Sequence, residues 1–124
     1  PQPKVLWQAT EGLPDTVSPT SDGTLVFTVA SSGLVTCYDA RTGKKQWDKQ
    51  LDNPATASPI IVGHRVYLVD TAGVTHIFAA ARKYQAIGSG KVGESVKATP
   101  AFAGGVIYLR GEKTLFALGA PGRP

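Results

Sequence analysis

Short apolar segments separated by turn residues run through the whole chain. Thr24 to Ala30 and Leu34 to Ala40 are rich in β-branched and aromatic residues, and Ser31-Ser32-Gly33 separates them. Turn signals of this kind return at intervals of about 8–12 residues, and the repeating part of the chain lacks the period of an amphipathic helix. The pattern predicts an all-β chain of short antiparallel strands.

The same residue types recur at a fixed distance. Ser18-Pro19 returns forty positions later as Ser58-Pro59 and, forty-one positions after that, as Thr99-Pro100. Each unit of about forty residues reads as four short strands. An immunoglobulin-like sandwich has no such internal repeat, whereas a forty-residue unit of four strands is typical of a β-propeller blade. The chain is therefore predicted to be a segment of a β-propeller made of four-stranded antiparallel blades.

Strand counting gives three blades' worth of propeller, about 12 strands, within a single segment over residues 1–124. Trp7 and Trp47 are forty residues apart, and the next position in line is Ile87. The prediction is a lone fourth strand at residues 4–13, blades at residues 15–54 and 55–95, and a three-stranded partial blade at residues 96–120, completed by an N-terminal-type strand.

Proline and small residues indicate which strand of each unit is innermost. Pro19, Pro59 and Pro100 fall within the predicted first strands, where a proline removes a ladder hydrogen bond. Such a residue is tolerated on an edge strand, and the innermost strand of a blade is an edge. Ala55 to Ser58 are small, as expected near the axis where blades converge.

One stretch carries a family resemblance. Residues 37–47 read Cys-Tyr-Asp-Ala-Arg-Thr-Gly-Lys-Lys-Gln-Trp and resemble the tryptophan-docking motif Ala-x-Asp-x-x-Thr-Gly-Lys-x-x-Trp of quinoprotein-like propellers, the PQQ-like repeat family. The matching residues are Asp39, Thr42, Gly43, Lys44 and Trp47, with Cys37 at the Ala position. The later units match less well: Ile77, Ala79, Arg82, Lys83 and Ile87 replace the motif in the second, and Ala117 and Gly119 take the Ala and Asp positions in the third.

The resemblance implies a structural role for the motif. Trp47 is expected to pack between neighbouring blades, and Trp7 to do the same one period earlier. Gly43 suits a turn with positive φ, and Asp39 and Thr42 suit side-chain hydrogen bonds to the backbone of that turn. The alternative for Trp47 is a stacking platform for a ligand.

The chain offers little for catalysis. Quinone-binding members of the resembled family are dehydrogenases with a vicinal Cys-Cys disulfide and calcium ligands, and this sequence has Cys37 alone. Neither His64 nor His76 belongs to a metal-ligand cluster, and ordinary hairpin or surface positions are expected for both. Gly88 to Lys91 lack the spacing of a phosphate loop. We expect no catalytic, cofactor-binding or metal-binding residues, and no cofactor.

Charge and hydropathy give no indication of a nucleic-acid partner or of a membrane-spanning helix. The net charge of +4 is spread along the chain and does not indicate nucleic acid. The basic cluster of Arg41, Lys44, Lys45 and Lys49 is interspersed with aspartates, which is typical of a solvated hairpin face. The longest apolar run, Ala101 to Leu109, is too short for a membrane helix. No signal peptide is visible, and the first residue is Pro1.

These observations favour a non-catalytic propeller segment that acts as a binding or protein-interaction scaffold. The resemblance implies a bacterial protein outside the cytoplasm, periplasmic or secreted, as in family members that serve as adaptors in envelope assembly. Two alternatives stay open: a fragment of a quinone-dependent dehydrogenase whose cofactor site lies on further blades, and the ligand-sensing domain of a membrane receptor. The expected partner is a second copy of the chain, completing a propeller, or the remainder of a longer parent propeller.

Overall fold

The computed structural model describes residues 2–119, which form strands and turns without a helix. Eleven strands make three antiparallel sheets in this described range. The first blade contains β1 (Thr20–Ser21), β2 (Leu25–Val29), β3 (Leu34–Asp39) and β4 (Lys45–Gln50); the second contains β5 (Ile60–Val62), β6 (Arg65–Val69), β7 (Val74–Ala79) and β8 (Ala86–Lys91); the third contains β9 (Ala101–Ala103), β10 (Val106–Arg110) and β11 (Leu115–Gly119). The strands of each blade pair in chain order, as in the blades of a propeller, and the predicted all-β propeller fold is confirmed.

Alternation along the strands decides which side chains separate the blades. In the first blade Phe27 pairs with Cys37, and both lie fully buried against Phe78 and Leu68 of the second blade. The opposite face of the second blade carries Val69, which packs in a smaller core with Leu109 and Val96. Adjacent blades thus bury apolar faces against each other, which is the main stabilising term for stacked sheets.

The β2–β3 and β6–β7 hairpins are built alike. Gly33 and Gly73 close them with φ of +95° and +84°, a conformation that favours glycine. A Cβ at either position would collide with a backbone carbonyl, that of Asn53 or that of Glu94. Asn53 lies in the connection from the first blade to the second, and Glu94 in the connection from the second to the third. The two glycines therefore permit a close approach of the backbone where the chain passes from one blade to the next.

Residues 4–13 form no strand, contrary to the prediction. Within the described residues the third blade has three strands, and the N-terminal segment does not join it. That segment instead lies over the outer face of the first blade, where the Tyr38 hydroxyl donates to the Glu11 carbonyl at 2.7 Å. Because this bond joins a side chain of the sheet to the segment, rather than two backbones along a strand edge, it does not begin a ladder.

The prolines also lie slightly differently from the prediction. Pro19, Pro59 and Pro100 each immediately precede the first strand of their blade, at β1, β5 and β9, instead of lying within it. A proline has no N–H to give to a ladder, so regular pairing begins at the residue after it. Of the small residues at positions 55–58, Ala55 and Ala57 are fully buried, and Thr56 is exposed.

Candidate functional site at the blade interfaces

The indole of Trp47 lies between the first and second blades. Its Nε1 donates to the carbonyl of Ala81 at 2.9 Å. Its ring lies 6.0 Å from that of Phe27 in its own blade, and 5.6 and 5.3 Å from those of Phe78 and Tyr84 in the next. Edge-to-face packing at these distances is the favoured geometry for aromatic pairs. The indole therefore fills the outer part of the interface and is anchored by one hydrogen bond.

Trp7 makes the corresponding contact one period earlier. Its Nε1 donates to the carbonyl of Ala40 at 2.8 Å, and its ring centroid is 6.1 Å from that of Tyr38. The ring lies on Gly43, whose φ is +77° and at which a Cβ would come within 2.6 Å of the indole. Only a glycine allows both the turn and this approach, so the motif glycine also serves as the floor under the preceding tryptophan.

The motif turn after β3 is held by its aspartate. Asp39 Oδ1 accepts the backbone N–H groups of Arg41 and Thr42, both at 2.9 Å, and the Thr42 hydroxyl accepts that of Lys44 at 3.2 Å. Across the interface, the Arg82 guanidinium donates to Asp39 Oδ2 at 2.7 Å. The hydrogen bond from Arg82 has the largest effect on the pKa of Asp39, and that from the backbone N–H of Thr42 the next largest. Together they hold this pKa well below its usual range. The carboxylate therefore organises its own turn and also reaches the neighbouring blade.

The second blade departs from the motif in a way that the forty-residue spacing hides. Its β7–β8 turn is one residue longer than the β3–β4 turn of the first blade. The Ala79 N–H donates to the carbonyl of Gln85, whereas in the first blade the Asp39 N–H donates to the carbonyl of Lys44. Register confirms the shift, because Cys37 faces Trp47 whereas Ile77 faces Gly88.

The sequence spacing suggested that Ile87 is the counterpart of Trp47, but the register shows that it is not. It lies at the β-bulge of β8 and is 44% exposed. Glycine, at position 88, takes the place of the docking tryptophan. A single inserted turn residue is enough to move every following side chain of the strand by one position.

Near the inner strands the two interfaces are alike. The backbone N–H of Ser18 donates to the Ser58 hydroxyl, and that of Ser58 donates to the Thr99 hydroxyl, both at 2.9 Å. Thr56 adds a bond from its hydroxyl to the carbonyl of Lys97 at 3.1 Å. The Ser-Pro and Thr-Pro pairs that revealed the period thus join consecutive blades through a repeated hydroxyl bridge.

Of the two four-stranded blades, only the second contains a buried acidic side chain among the described residues. The side chain of Asp70 is fully buried, and its Oδ2 lies 2.8 Å from His76 Nε2 and 3.2 Å from Asn53 Nδ2. Its Oδ1 accepts the backbone N–H groups of Ala72 and Val74. Burial alone raises the pKa of Asp70, but the bonds from His76, Val74 and Asn53 outweigh it, so the pKa lies below its ordinary value.

The sequence pattern did not predict this cluster, because His76 by itself is typical of an ordinary hairpin or surface position. The signal was a mismatch between repeats. Asp70 stands forty residues after Ala30, directly before a turn, and a carboxylate at a position that is apolar in the other repeat requires hydrogen-bonding partners when buried. The cluster ties the chain entering the second blade to the β6–β7 hairpin.

The other candidate side chains stay apart. Cys37 is buried, and burial raises the pKa of its thiol to about 12, which leaves it unreactive as a nucleophile. Among residues 2–119, no three His, Cys, Asp or Glu side chains lie together as a metal site requires. No helix in that range is long and apolar enough to cross a membrane.

Comparison with known proteins agrees with this geometry. The sequence profile of the family described as outer membrane protein assembly factor BamB matches residues 2–111. No protein of curated function matches the chain in sequence. The crystal structure of BamB from Moraxella catarrhalis superimposes with a TM-score of 0.74 at 18% identity, covering 90% of this chain and 34% of that one.

Two enzyme structures share the fold at lower identity. A europium-containing methanol dehydrogenase superimposes with a TM-score of 0.60 at 16% identity, over 71% of this chain and 19% of that one. A quinohemoprotein alcohol dehydrogenase from Pseudomonas putida HK5 gives 0.67 at 14% identity, over 85% and 18%. This chain spans about a third of the BamB structure and about a fifth of either dehydrogenase.

Proposed function

The chain belongs to the family of the outer membrane protein assembly factor BamB, and on that premise we propose that it is a non-catalytic binding scaffold that takes part in protein assembly at a bacterial outer membrane. The profile match over residues 2–111 carries this proposal. The role implies a location outside the cytoplasm, on the periplasmic side of the envelope.

Exposed apolar side chains at the two ends of the blade stack support a binding role. Tyr108 and Leu115 are 40% and 71% exposed on the outer face of the third blade, and Val5 and Leu6 are 75% and 78% exposed in the N-terminal segment. Clustered apolar exposure is typical of surfaces that another protein element covers. We assign the two ends of the stack as the contact surfaces.

The outer face of the third blade fits a further blade. Tyr108 follows the repeat of Phe27 and Tyr67; Phe27 is fully buried against the second blade, and the Tyr67 ring lies 4.8 Å from that of Phe102 in the third. By the same stacking rule, Tyr108 is covered by a following blade. That blade belongs to a second copy of the chain or to a longer parent propeller.

Light scattering of the purified 13.0 kDa chain at micromolar concentration tests this assembly. We expect a dimer or larger ring, and the variant Leu115→Lys should shift the particle towards the monomer because it places a charge on the apolar face. Thr24→Lys, at the β1–β2 turn of the first blade, is the control that leaves the particle size unchanged. A compact, cooperatively melting monomer would contradict the assembly.

The scaffold role is tested in cells by comparing the outer membrane proteome with and without the intact chain. Removing it, or replacing it with the Leu115→Lys variant at equal abundance, is expected to lower the content of integral outer membrane proteins. An unchanged proteome would sink the proposed role. Equal abundance matters because a merely unstable variant would give the same loss.

The dehydrogenase neighbours give a second candidate, that the chain is part of a quinone-dependent dehydrogenase. The residues present do not fit a quinone and calcium site. Cys37 has no adjacent cysteine, and residues 2–119 hold no cluster of three acidic or histidine side chains for a metal. The described blades thus supply no ligand set for that chemistry. Pyrroloquinoline quinone with calcium is expected to leave Tm unchanged, whereas a concentration-dependent rise in Tm would favour the enzyme.

A further inference from the structure

The third blade carries an arginine at a repeat position where the first two blades carry buried valines. Val29, Val69 and Arg110 follow one another at steps of forty and forty-one residues. Both valines are fully buried, and each belongs to the core that joins its blade to the next. Leu109 is buried towards the second blade, so Arg110 projects from the outer face of the third, where it is exposed. A cation at this position needs an anionic partner when another element covers the face.

A cavity of about 270 Å³ opens beside Arg110. Its lining includes two cations, Lys97 and Arg110, and one carboxylate, Glu112. The Arg110 guanidinium donates to the carbonyl of Gly111 at 3.1 Å. Within residues 2–119, neither Arg110 nor Lys97 has a carboxylate at ion-pair distance. Because its cations outnumber its carboxylates and have no ion-pair partner, the cavity favours an anionic group.

The opposite end of the stack carries an aspartate at the matching position. Asp15 is followed in the repeat by Ala55 and Val96, again at steps of forty and forty-one residues. Ala55 lies in the same buried cluster as Val29, and Val96 packs in the smaller core with Val69. At both internal interfaces the repeat thus brings these two positions into one core, with an apolar side chain at each. Asp15 is instead exposed on the first blade.

We propose that two copies of this chain stack head to tail and that Asp15 of one copy binds Arg110 of the other in this cavity. The two positions that are both apolar at the internal interfaces then hold a carboxylate and a guanidinium between copies. Within its own chain the Asp15 carboxylate accepts a bond from the Ser31 hydroxyl, which leaves lone pairs for the guanidinium. Two copies of three blades each make six, within the usual range of about 4–8 for a propeller.

This inference rests on the proposed contact surfaces at the two ends of the stack and adds the residues that fix their direction. Apolar contact through Tyr108 and Leu115 permits several arrangements, because it is not directional. An ion pair between unlike ends favours head-to-tail stacking and disfavours the stacking of two like ends, which would bring Arg110 of both copies together.

The test exchanges the two charges between chains and follows self-association of the intact 124-residue chain by sedimentation velocity. Arg110→Glu alone sets two carboxylates against each other, and Asp15→Arg alone sets two guanidinium groups against each other. Each variant is expected to weaken self-association at least about tenfold. An equimolar mixture of the two variants is expected to recover the wild-type affinity, because a ring with one copy of each contains one native pair and one exchanged pair.

Recovery in the mixture also requires that both variants are folded, so misfolding cannot imitate the expected result. Lys83→Glu, an exposed charge reversal in the β7–β8 turn, is the control and should leave self-association unchanged. If Leu115→Lys dissociates the dimer and neither charge variant does, the contact surface stands and the Asp15–Arg110 pair is overturned. A mixture that stays dissociated, with native circular dichroism for each variant, also overturns the pair. A monomeric wild type contradicts both the pair and the assembly, whereas the scaffold role keeps its separate test in the outer membrane proteome.

Discussion

The two blade interfaces of this chain are alike at their inner strands and different at their outer strands. Serine and threonine hydroxyls bridge consecutive blades in both, at sequence spacings of 40 and 41 residues and at the same distance of 2.9 Å. At the outer strands, the first interface holds an indole, an aromatic cluster and an arginine–aspartate pair, whereas the second has glycine at the tryptophan position and an open cleft.

The packed cores follow this difference. Within the described residues, the core that includes the first interface contains eleven buried residues, and that between the second and third blades contains three. A repeat fold is stabilised by the sum of its neighbour interfaces. The comparison therefore predicts that the first two blades form the more stable unit and that the third is the first to open.

Removing the indole should give the largest effect. Trp47→Ala is expected to lower the free energy of unfolding by roughly 3–5 kcal/mol, because it leaves a cavity among Phe27, Phe78 and Tyr84. Urea unfolding measures this. Trp47→Phe, which keeps most of the ring but loses the bond to Ala81, should cost less. A loss below about 1 kcal/mol for Trp47→Ala would remove the basis of the comparison.

A methyl group under the N-terminal tryptophan should come next. Gly43→Ala and Gly63→Ala both place alanine at positive φ, at +77° and +63°, which costs about 1–2 kcal/mol by itself. Only Gly43 also has the Trp7 ring against it, whereas Gly63 faces open space. Chemical denaturation should therefore show a larger loss for Gly43→Ala. Equal losses would mean that Trp7 does not dock in solution.

The buried carboxylate gives a comparable effect and a pH signature. Asp70→Asn is expected to cost about 1–3 kcal/mol at neutral pH, because it removes the charge that His76, Asn53 and two backbone N–H groups bond. Since the pKa of Asp70 is lower in the folded than in the unfolded chain, its contribution is complete above the unfolded value near 3.8 and is lost as pH falls through the folded value.

Thermal melts between neutral and acidic pH separate this contribution from others. Asp39 and Glu94 also have lowered pKa values, so the wild-type Tm should fall on acidification and that of Asp70→Asn should fall less steeply. Asp52→Asn, an exposed substitution in the connection that holds Asn53, is the control and should follow the wild type. Parallel curves for Asp70→Asn and wild type would show that Asp70 is not ionised in the folded chain.

The ion pair across the first interface should have the smallest effect. Arg82→Ala removes the bond to Asp39 but leaves the Asp39 turn, and the Arg82 side chain is about half exposed (52%). Pairs of this exposure contribute about 0.2–1 kcal/mol and are screened by salt. Lys45→Ala removes a pair with Asp48 inside one blade and is the control. If Arg82→Ala lowers the free energy of unfolding more than Lys45→Ala does, and if this difference decreases at high salt, the ion pair stabilises the contact between the blades. Equal losses would contradict such a contribution.

Much of the architecture followed from the sequence alone. Strand alternation and glycine turns are local, so Leu25–Val29, Leu34–Asp39 and their counterparts could be read directly from side-chain pattern and turn chemistry. The forty-residue period then implied blades, because repeated sheets that are apolar on both faces can bury those faces only by stacking against one another. The motif from Asp39 to Trp47 likewise indicated its turn and its inter-blade side chain.

Only the tertiary structure decided what depends on register and on contacts distant in the chain. One extra residue in the β7–β8 turn places Gly88, not Ile87, at the tryptophan position, and counting positions does not reveal an insertion inside a turn. The N-terminal segment lies on the first blade instead of forming a strand, since a strand exists only where a partner edge is available. Asp70, His76 and Asn53 meet because a hairpin and a crossing connection come together in space, and no local pattern contains that meeting.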